Sequence, residues 1–220
     1  MAIRSPLPEF HSHVSTDIAL LARLAALDSC EVAARRAGGH RAYVALLGDA
    51  PVAYGWVAGA GATIGELGVS FALPHGDRNL WDFATLPAWR GRGLYPHLLQ
   101  GIMAAESPPA ARLWIIHAPE NRASCRGIAK AGFAPVGELS FRVDGSSGFR
   151  PHGRPERARV GAALLGVPLL AENGAATEPL APCWHCAIEA VRHELPASAA
   201  ACWVGPGHSS PCRCVVSCAT

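Results

Sequence analysis

From Asn79 onward the chain alternates strand-like and helix-like segments, and this order limits the folds open to it. The run Asn79 to Leu86 (NLWDFATL) reads as a mostly buried strand, stopped by Pro87. A glycine turn follows. Leu94, Leu98, Leu99, Ile102 and Met103 then recur at helical spacing between Leu94 and Glu106. Arg112 to His117 (RLWIIH) is a short central strand, Asn121 to Ala131 a second amphipathic helix, and Phe133 to Val143 one more strand or a bent pair. Two strands joined through a helix lie parallel, with a right-handed crossover, so the pattern argues for a mixed α/β sheet.

The flanks are less regular. Asp17 to Leu27 is rich in helix formers, with Ser15 or Thr16 as expected N-cap, and Glu31 to Ala37 continues as a short helix ending at Gly38 and Gly39. Arg41 to Leu47 and Val52 to Ala58, joined by Gly48-Asp49-Ala50-Pro51, read as a β-hairpin. Gly59 to Arg78 is glycine-rich, with a strand near Leu67 to Leu73 or simply loop. Gly145 to Arg159 reads as a surface loop, and Val160 to Leu170 as an apolar segment returning to the core. The expected organisation is a domain over residues 1–170, a linker over 171–182 and a Cys/His-rich tail over 183–220.

The chain has 220 residues, half of them hydrophobic, with a net charge of +2. Its 19 basic residues are spread along the sequence, which argues against a nucleic-acid partner. No run approaches the ~20 apolar residues of a membrane-spanning helix, and the first ten residues lack the apolar core of a signal peptide, so no membrane partner and a cytoplasmic location are expected.

Pro87-Ala-Trp-Arg-Gly-Arg-Gly-Leu-Tyr95 carries the most chemistry. Glycines between a strand and a helix let the backbone turn tightly and approach a ligand. The first N–H groups of the helix have no intrahelical partner and point outward with the positive end of the helix dipole, a setting that binds phosphate. The run lacks the Gly-Lys-Ser/Thr ending of a P-loop and the third glycine of a dinucleotide fingerprint, which weakens both nucleotide readings. About 30 residues on stands Asn121-Arg-Ala-Ser-Cys-Arg-Gly-Ile-Ala-Lys-Ala-Gly-Phe133.

These two segments together resemble motifs A and B of the GCN5-related N-acetyltransferase superfamily, which bind acetyl-CoA. Arg90, Gly93 and Tyr95 fall on the Arg/Gln-x-x-Gly-x-Gly/Ala signature. Asn121, Ser124, Lys130, Gly132 and Phe133 fall on the second signature, and the resemblance covers roughly Arg41 to Val143. It implies a mixed, mostly antiparallel central sheet with a splayed parallel strand pair and helices on both faces. It also implies acetyl-CoA as cofactor. The backbone of Arg90, Gly91, Arg92, Gly93, Leu94 and Tyr95 would hold the pyrophosphate, Ala84, Thr85 and Leu86 the pantetheine arm, and Asn121 and Ser124 the cofactor from the next helix.

The resemblance further implies direct attack of a substrate amine, from a small molecule or a protein, on the thioester. Three departures stand out: Tyr95 replaces the final small residue of motif A, Ile128 replaces a thiolate-protonating tyrosine, and Asn79 stands where some members carry a glutamate base. Asp82 and His117 are therefore the candidate catalytic residues. By strand alternation Asp82 faces away from Asn79 and serves equally well as a structural partner. The competing readings are a non-catalytic module of the same fold and a nucleotide-binding α/β protein. A homodimer is a further expectation.

Six of the eight cysteines crowd the last 38 residues. Cys183 and Cys186 have the chelating two-residue spacing, and Cys212 and Cys214 are the expected completing ligands of a structural zinc. An iron–sulfur cluster, or cysteines without a metal, are the alternatives.

Overall fold

A computed structural model of the chain describes residues 7–64, 69–107, 110–119, 121–141, 147–170 and 213–219. Ten strands and five helices are described. They run β1 (Phe10–Ser15), α1 (Ile18–Ala25), α2 (Ser29–Ala37), β2 (Arg41–Leu47), β3 (Ala50–Ala58), β4 (Gly61–Ile64), β5 (Val69–Ala72), β6 (Asp77–Thr85), α3 (Leu94–Glu106), β7 (Arg112–His117), α4 (Arg122–Ala131), β8 (Ala134–Phe141), β9 (Ser147–Pro151), α5 (Pro155–Leu165) and β10 (Arg213–Ala219). Eight strands form one sheet in the order β1-β2-β3-β6-β7-β10-β8-β9, and β4 with β5 forms a separate hairpin. Every pairing in the large sheet is antiparallel except β6 with β7. That one parallel pair is the pair that α3 joins, as the alternation requires.

Helices cover both faces. Leu98, Leu99 and Ile102 of α3 and Ile128 of α4 pack on Tyr43, Val57, Leu80 and Ile115. Across the sheet, Leu21 of α1 and Val32 of α2 lie on Val44, Tyr54 and Trp56, while Ala158 and Ala162 of α5 cover Trp114, Leu139 and Phe149. A buried polar knot pins the end of α3: Glu106 accepts hydrogen bonds from Arg41, Tyr43 and Arg78. Burial alone would raise its carboxyl pKa, but these donors hold it below the ordinary value.

Local departures from the sequence expectations have physical causes. Asp17, not Ser15 or Thr16, caps α1, its carboxylate accepting the Leu20 amide at 2.9 Å. Phe10–Ser15, too short to show a period, is an edge strand on β2. The stretch expected as a surface loop over 145–159 contains β9 and the start of α5. Residues 213–219 are not part of a separate tail. β10 pairs with both β7 and β8 in the middle of the sheet.

One irregularity shapes the centre of the molecule. Trp56 pairs with Trp81 and Tyr54 with Ala84, so Gly55 alone opposes both Asp82 and Phe83. This is a β-bulge, and Asp82 takes a left-handed φ of 48° in it. The Phe83 ring lies over Gly55, where a Cβ would overlap it. Gly55→Val should therefore force the ring out and destabilise the protein by about 2–3 kcal/mol, read as a lowered urea midpoint.

Candidate active site

The bulge sits where β6 and β7 stop pairing. Their rungs run from Asp77 with Arg112 to Leu80 with Ile115 and go no further. Beyond that point β6 stays on β3, with Ala84 opposite Tyr54, Thr85 opposite Ala53 and the Leu86 amide donating to the Val52 carbonyl at 2.9 Å. Peptide groups alternate sides along a strand, so those of Phe83 and Thr85 turn toward β7 and the gap. The gap is a cleft of about 1510 Å³.

The neck after β6 is a 3-10 turn over Pro87–Trp89, followed by Gly91 and Gly93 at φ 77° and 76°. Gly93 is the N-cap of α3 and has no side chain to accept its first amides, so Leu94 and Tyr95 present theirs outward. Pro96 follows in the first turn, where it removes no intrahelical hydrogen bond. Arg90 is turned back, its Nε donating to the Thr85 carbonyl at 3.1 Å, and Arg92 stacks over Trp89 at 4.8 Å.

Among the sequence-derived cofactor residues, Ala84, Thr85, Arg90, Gly91, Gly93, Leu94, Tyr95, Asn121 and Ser124 line this one cleft, and Leu86 and Arg92 do not. The Leu86 amide donates to the Val52 carbonyl of β3. Sequence reasoning missed Arg126, which brings a cation to the same wall as Lys130; its place on α4, one turn before Lys130, is a signal that helical spacing could have given.

Asn121 is the N-cap of α4, its side-chain oxygen accepting the Ser124 amide at 3.0 Å. Tyr95 does not crowd the glycine neck before α3. Its ring lies against Gly127, where a Cβ would overlap it, and 5.7 Å from the Phe83 ring, with the hydroxyl 3.4 Å from Ser124. Burial pushes the phenol up to about 12, so it remains protonated near neutrality.

Asp82 and His117 also line the cleft. The bulge reverses the facing expected for Asp82: its carboxylate is ion-paired to Arg35 of α2, on the same side of the sheet as Trp81 and Asn79. The cause is the left-handed backbone at Asp82, which breaks the two-residue alternation. Arg35 also bonds Glu31 at 2.8 Å and lies over the Trp56 and Trp81 rings at 5.2 and 4.6 Å. Burial works against its charge, yet the two carboxylates hold the guanidinium pKa above its usual value. His117, 9% exposed, has Nδ1 2.9 Å from the Ala118 carbonyl, an arrangement in which Nδ1 carries the proton.

Of the expected metal ligands, Cys183, Cys186 and Cys212 lie outside the described residues. Cys214 is a strand residue of β10 opposite Leu139, not part of an independent module. Among the described residues no group of three or more His, Cys, Asp or Glu side chains is arranged to hold a metal ion. Cys218 is a buried free thiol, which burial pushes up to about 11.

The chain matches no protein-family model and no curated protein sequence. Among solved structures it is similar to an aminoglycoside acetyltransferase in complex with coenzyme A and kanamycin, at 18% identity over 62% of this chain and 90% of that one, with a TM-score of 0.47. It is also similar to the ribosomal-protein-S5-alanine acetyltransferase from Vibrio fischeri, at 9% identity over 63% and 87%, TM-score 0.46. A third similar structure is the IAA acetyltransferase from Bacillus cereus, at 12% identity over 60% and 81%, TM-score 0.43.

His40, edge-on to Trp81 at 5.2 Å, has its pKa lowered by burial and then by the Arg35 charge. A histidine whose folded pKa is depressed contributes stability that is fully present above its unfolded pKa of ~6.5 and is lost as pH falls from there through the lower folded value. The melting temperature should therefore drop between pH 7 and pH 5, and less steeply in His40→Gln. Equal slopes in the two proteins would refute this origin.

Proposed function

We propose that this protein is an acetyl-CoA-dependent N-acyltransferase of the GCN5-related N-acetyltransferase superfamily, transferring an acyl group to a primary amine of a small molecule or protein. One observation carries the reading: two parallel strands part beside an uncapped helix N-terminus fronted by two left-handed glycines. Few ligands need both features at once. A diphosphate suits the outward amides of Leu94 and Tyr95, and an extended arm carrying amides suits the unpaired edge of β6. Arg126 and Lys130 add positive charge on the same side. The quoted motif residues, Arg90, Gly93, Asn121 and Lys130, support the same assignment.

When bound, acetyl-CoA would supply an acetyl thioester, whose carbonyl carbon exchanges its C–S bond for a C–N bond to the amine while the sulfur departs as a thiolate and takes up the proton that the amine gives. The chain's own contribution is chiefly alignment, with β6 holding the arm in the gap and α1 with α2 flanking the opposite mouth. Asp82, engaged by Arg35, keeps that mouth in shape and fixes the Arg35 guanidinium over the adjacent Trp56 and Trp81 rings. Proton acceptance from the amine falls to His117 on the β7 wall, directly or through water. Tyr95, protonated at neutral pH, braces α3 against α4 through Gly127 and Ser124.

Isothermal titration calorimetry with acetyl-CoA, followed by thiol-release assays on a panel of amines, tests the reading. Saturable heat and amine-dependent thiol release are expected. Heat without turnover on any amine would favour a non-catalytic module, and heat with ATP but not acetyl-CoA would favour a nucleotide-binding protein. In Gly93→Val the β-branched residue resists the left-handed neck, so acetyl-CoA affinity should fall about tenfold, equivalent to ~1.4 kcal/mol.

A further inference from the structure

β1 is the outer strand of the eight-stranded sheet, separated from β6 and the cleft by β2 and β3. Prolines and charged side chains normally guard such an edge and keep other chains from pairing with it. Phe10-His-Ser-His-Val-Ser15 has neither. Val14 is 43% exposed, one of two large hydrophobic side chains exposed among the described residues.

The pairing of β1 with β2 fixes what faces outward. Continued by one residue, its register sets Glu9 opposite Gly48, whose amide the Glu9 carbonyl accepts at 3.0 Å. The peptide groups of His11 and His13 therefore turn toward β2, and those of Ser12 and Val14 turn away from it. The Phe10 carbonyl also turns away, while the Phe10 amide is given to Leu7 at 3.2 Å.

Side chains divide in the same way. Phe10 and Ser12 face α3, with Ser12 against Gly101 and the Phe10 ring 5.7 Å from that of His97. His11 and His13 lie on the opposite face, beside Leu46 and Val44. Both histidines are exposed, and their rings are 23° from parallel with centroids 6.2 Å apart. Two imidazoles on one tetrahedral zinc ion, with Zn–N of ~2.0–2.1 Å, have ring centres ~5 Å apart, so small side-chain rotations bring both onto one ion. Among the described residues no third His, Cys, Asp or Glu joins them. One chain thus supplies half of a four-donor site.

A second copy supplies the other half. In antiparallel pairing of β1 with its own copy about a two-fold axis at Ser12, Ser12 meets Ser12, Val14 meets Phe10 and His11 meets His13. The outward peptide groups make the first two of these the hydrogen-bonded pairs. His11 and His13 of the second copy then form a non-hydrogen-bonded pair, where Cα atoms approach to ~4.5 Å and side chains come closest. Four imidazoles converge on one face, and on the other Val14 is covered by Phe10 of the second copy.

We infer that β1 is a metal-dependent interface between two copies of this chain, in which His11 and His13 of each copy hold one borderline divalent ion such as zinc across the paired strands. The strand pair alone is a small contact. An ion bound by the pair and not by the single chain shifts the equilibrium toward the pair by mass action. The interface is independent of the acyltransferase reading, since neither histidine lines the cleft.

The test uses the full chain, stripped of metal with EDTA and followed by sedimentation velocity across a concentration series with and without zinc chloride. Bound zinc is counted after gel filtration. Zinc should convert single chains to pairs and tighten the pairing about a hundredfold or more. The double variant His11→Asn/His13→Asn should bind one zinc fewer per two chains and lose that response. Its melting temperature in EDTA should match the wild type, because both side chains are exposed. Amide hydrogen exchange reads the register: zinc should slow exchange at Ser12 and Val14 in the wild type and not in the double variant. Zinc-driven pairing that persists in the double variant, an equal zinc count in the two proteins, or wild-type pairing as tight in EDTA as in zinc would overturn the inference. So would unchanged exchange at Ser12 and Val14.

Discussion

The bulge at Asp82 and Phe83, opposite Gly55, is the constraint on which the rest of the centre depends. An unbroken strand would carry Asp82 to the α3 face and leave Arg35 with Glu31 as its one remaining carboxylate partner among the described residues. The left-handed turn of one residue instead sends Asp82 toward α2 and Phe83 toward α3. It also falls just past Leu80, the last residue of β6 to pair with β7, so backbone irregularity and strand parting coincide. Bulges increase local twist, and a strand that twists away from one neighbour while pairing with the other opens a wedge.

The two mouths of that wedge are chemically different. On the α3–α4 side stand outward amides, Arg126 and Lys130, a positive surface behind left-handed glycines. On the α1–α2 side stand Trp81, Asn79, Asp82 and the clamped Arg35, an aromatic and mixed-charge surface. The pairing of Tyr95 with Gly127 shows how the first mouth tolerates a large side chain where the motif it resembles carries a small one. The volume added on α3 is given up on α4, so the helices still approach closely.

Much of the wedge was legible before any coordinates. The two glycines, the proline stop after Leu86 and the helical spacing of Leu94 to Met103 are local signals, and local signals survive into the fold. Arg112 to His117 was equally plain, because a central strand buried on both faces reads as a continuous apolar run. The facing of Asp82 was not legible. Period-two alternation assumes an unbroken ladder, and the bulge depends on Gly55, a residue 27 positions earlier that pairs with β6 only in the sheet. Arg35 could not be linked to Asp82 for the same reason, since 47 residues separate them.

The C-terminal segment marks the same boundary from the other direction. Its cysteine spacing suggested a metal-held module, yet Arg213–Ala219 is a strand between β7 and β8, chosen by a slot that those two strands leave open. By itself the sequence determined the order of strands and helices from Asn79 to Phe141 and the glycine neck between β6 and α3, because these follow from hydrophobic period, proline stops and glycine torsions acting within a few residues. Only the tertiary structure decided which strand fills the middle of the sheet, which way Asp82 faces and that the Asn79 side-chain oxygen has no hydrogen-bond partner among the described residues, because each depends on partners that the chain brings together across long separations.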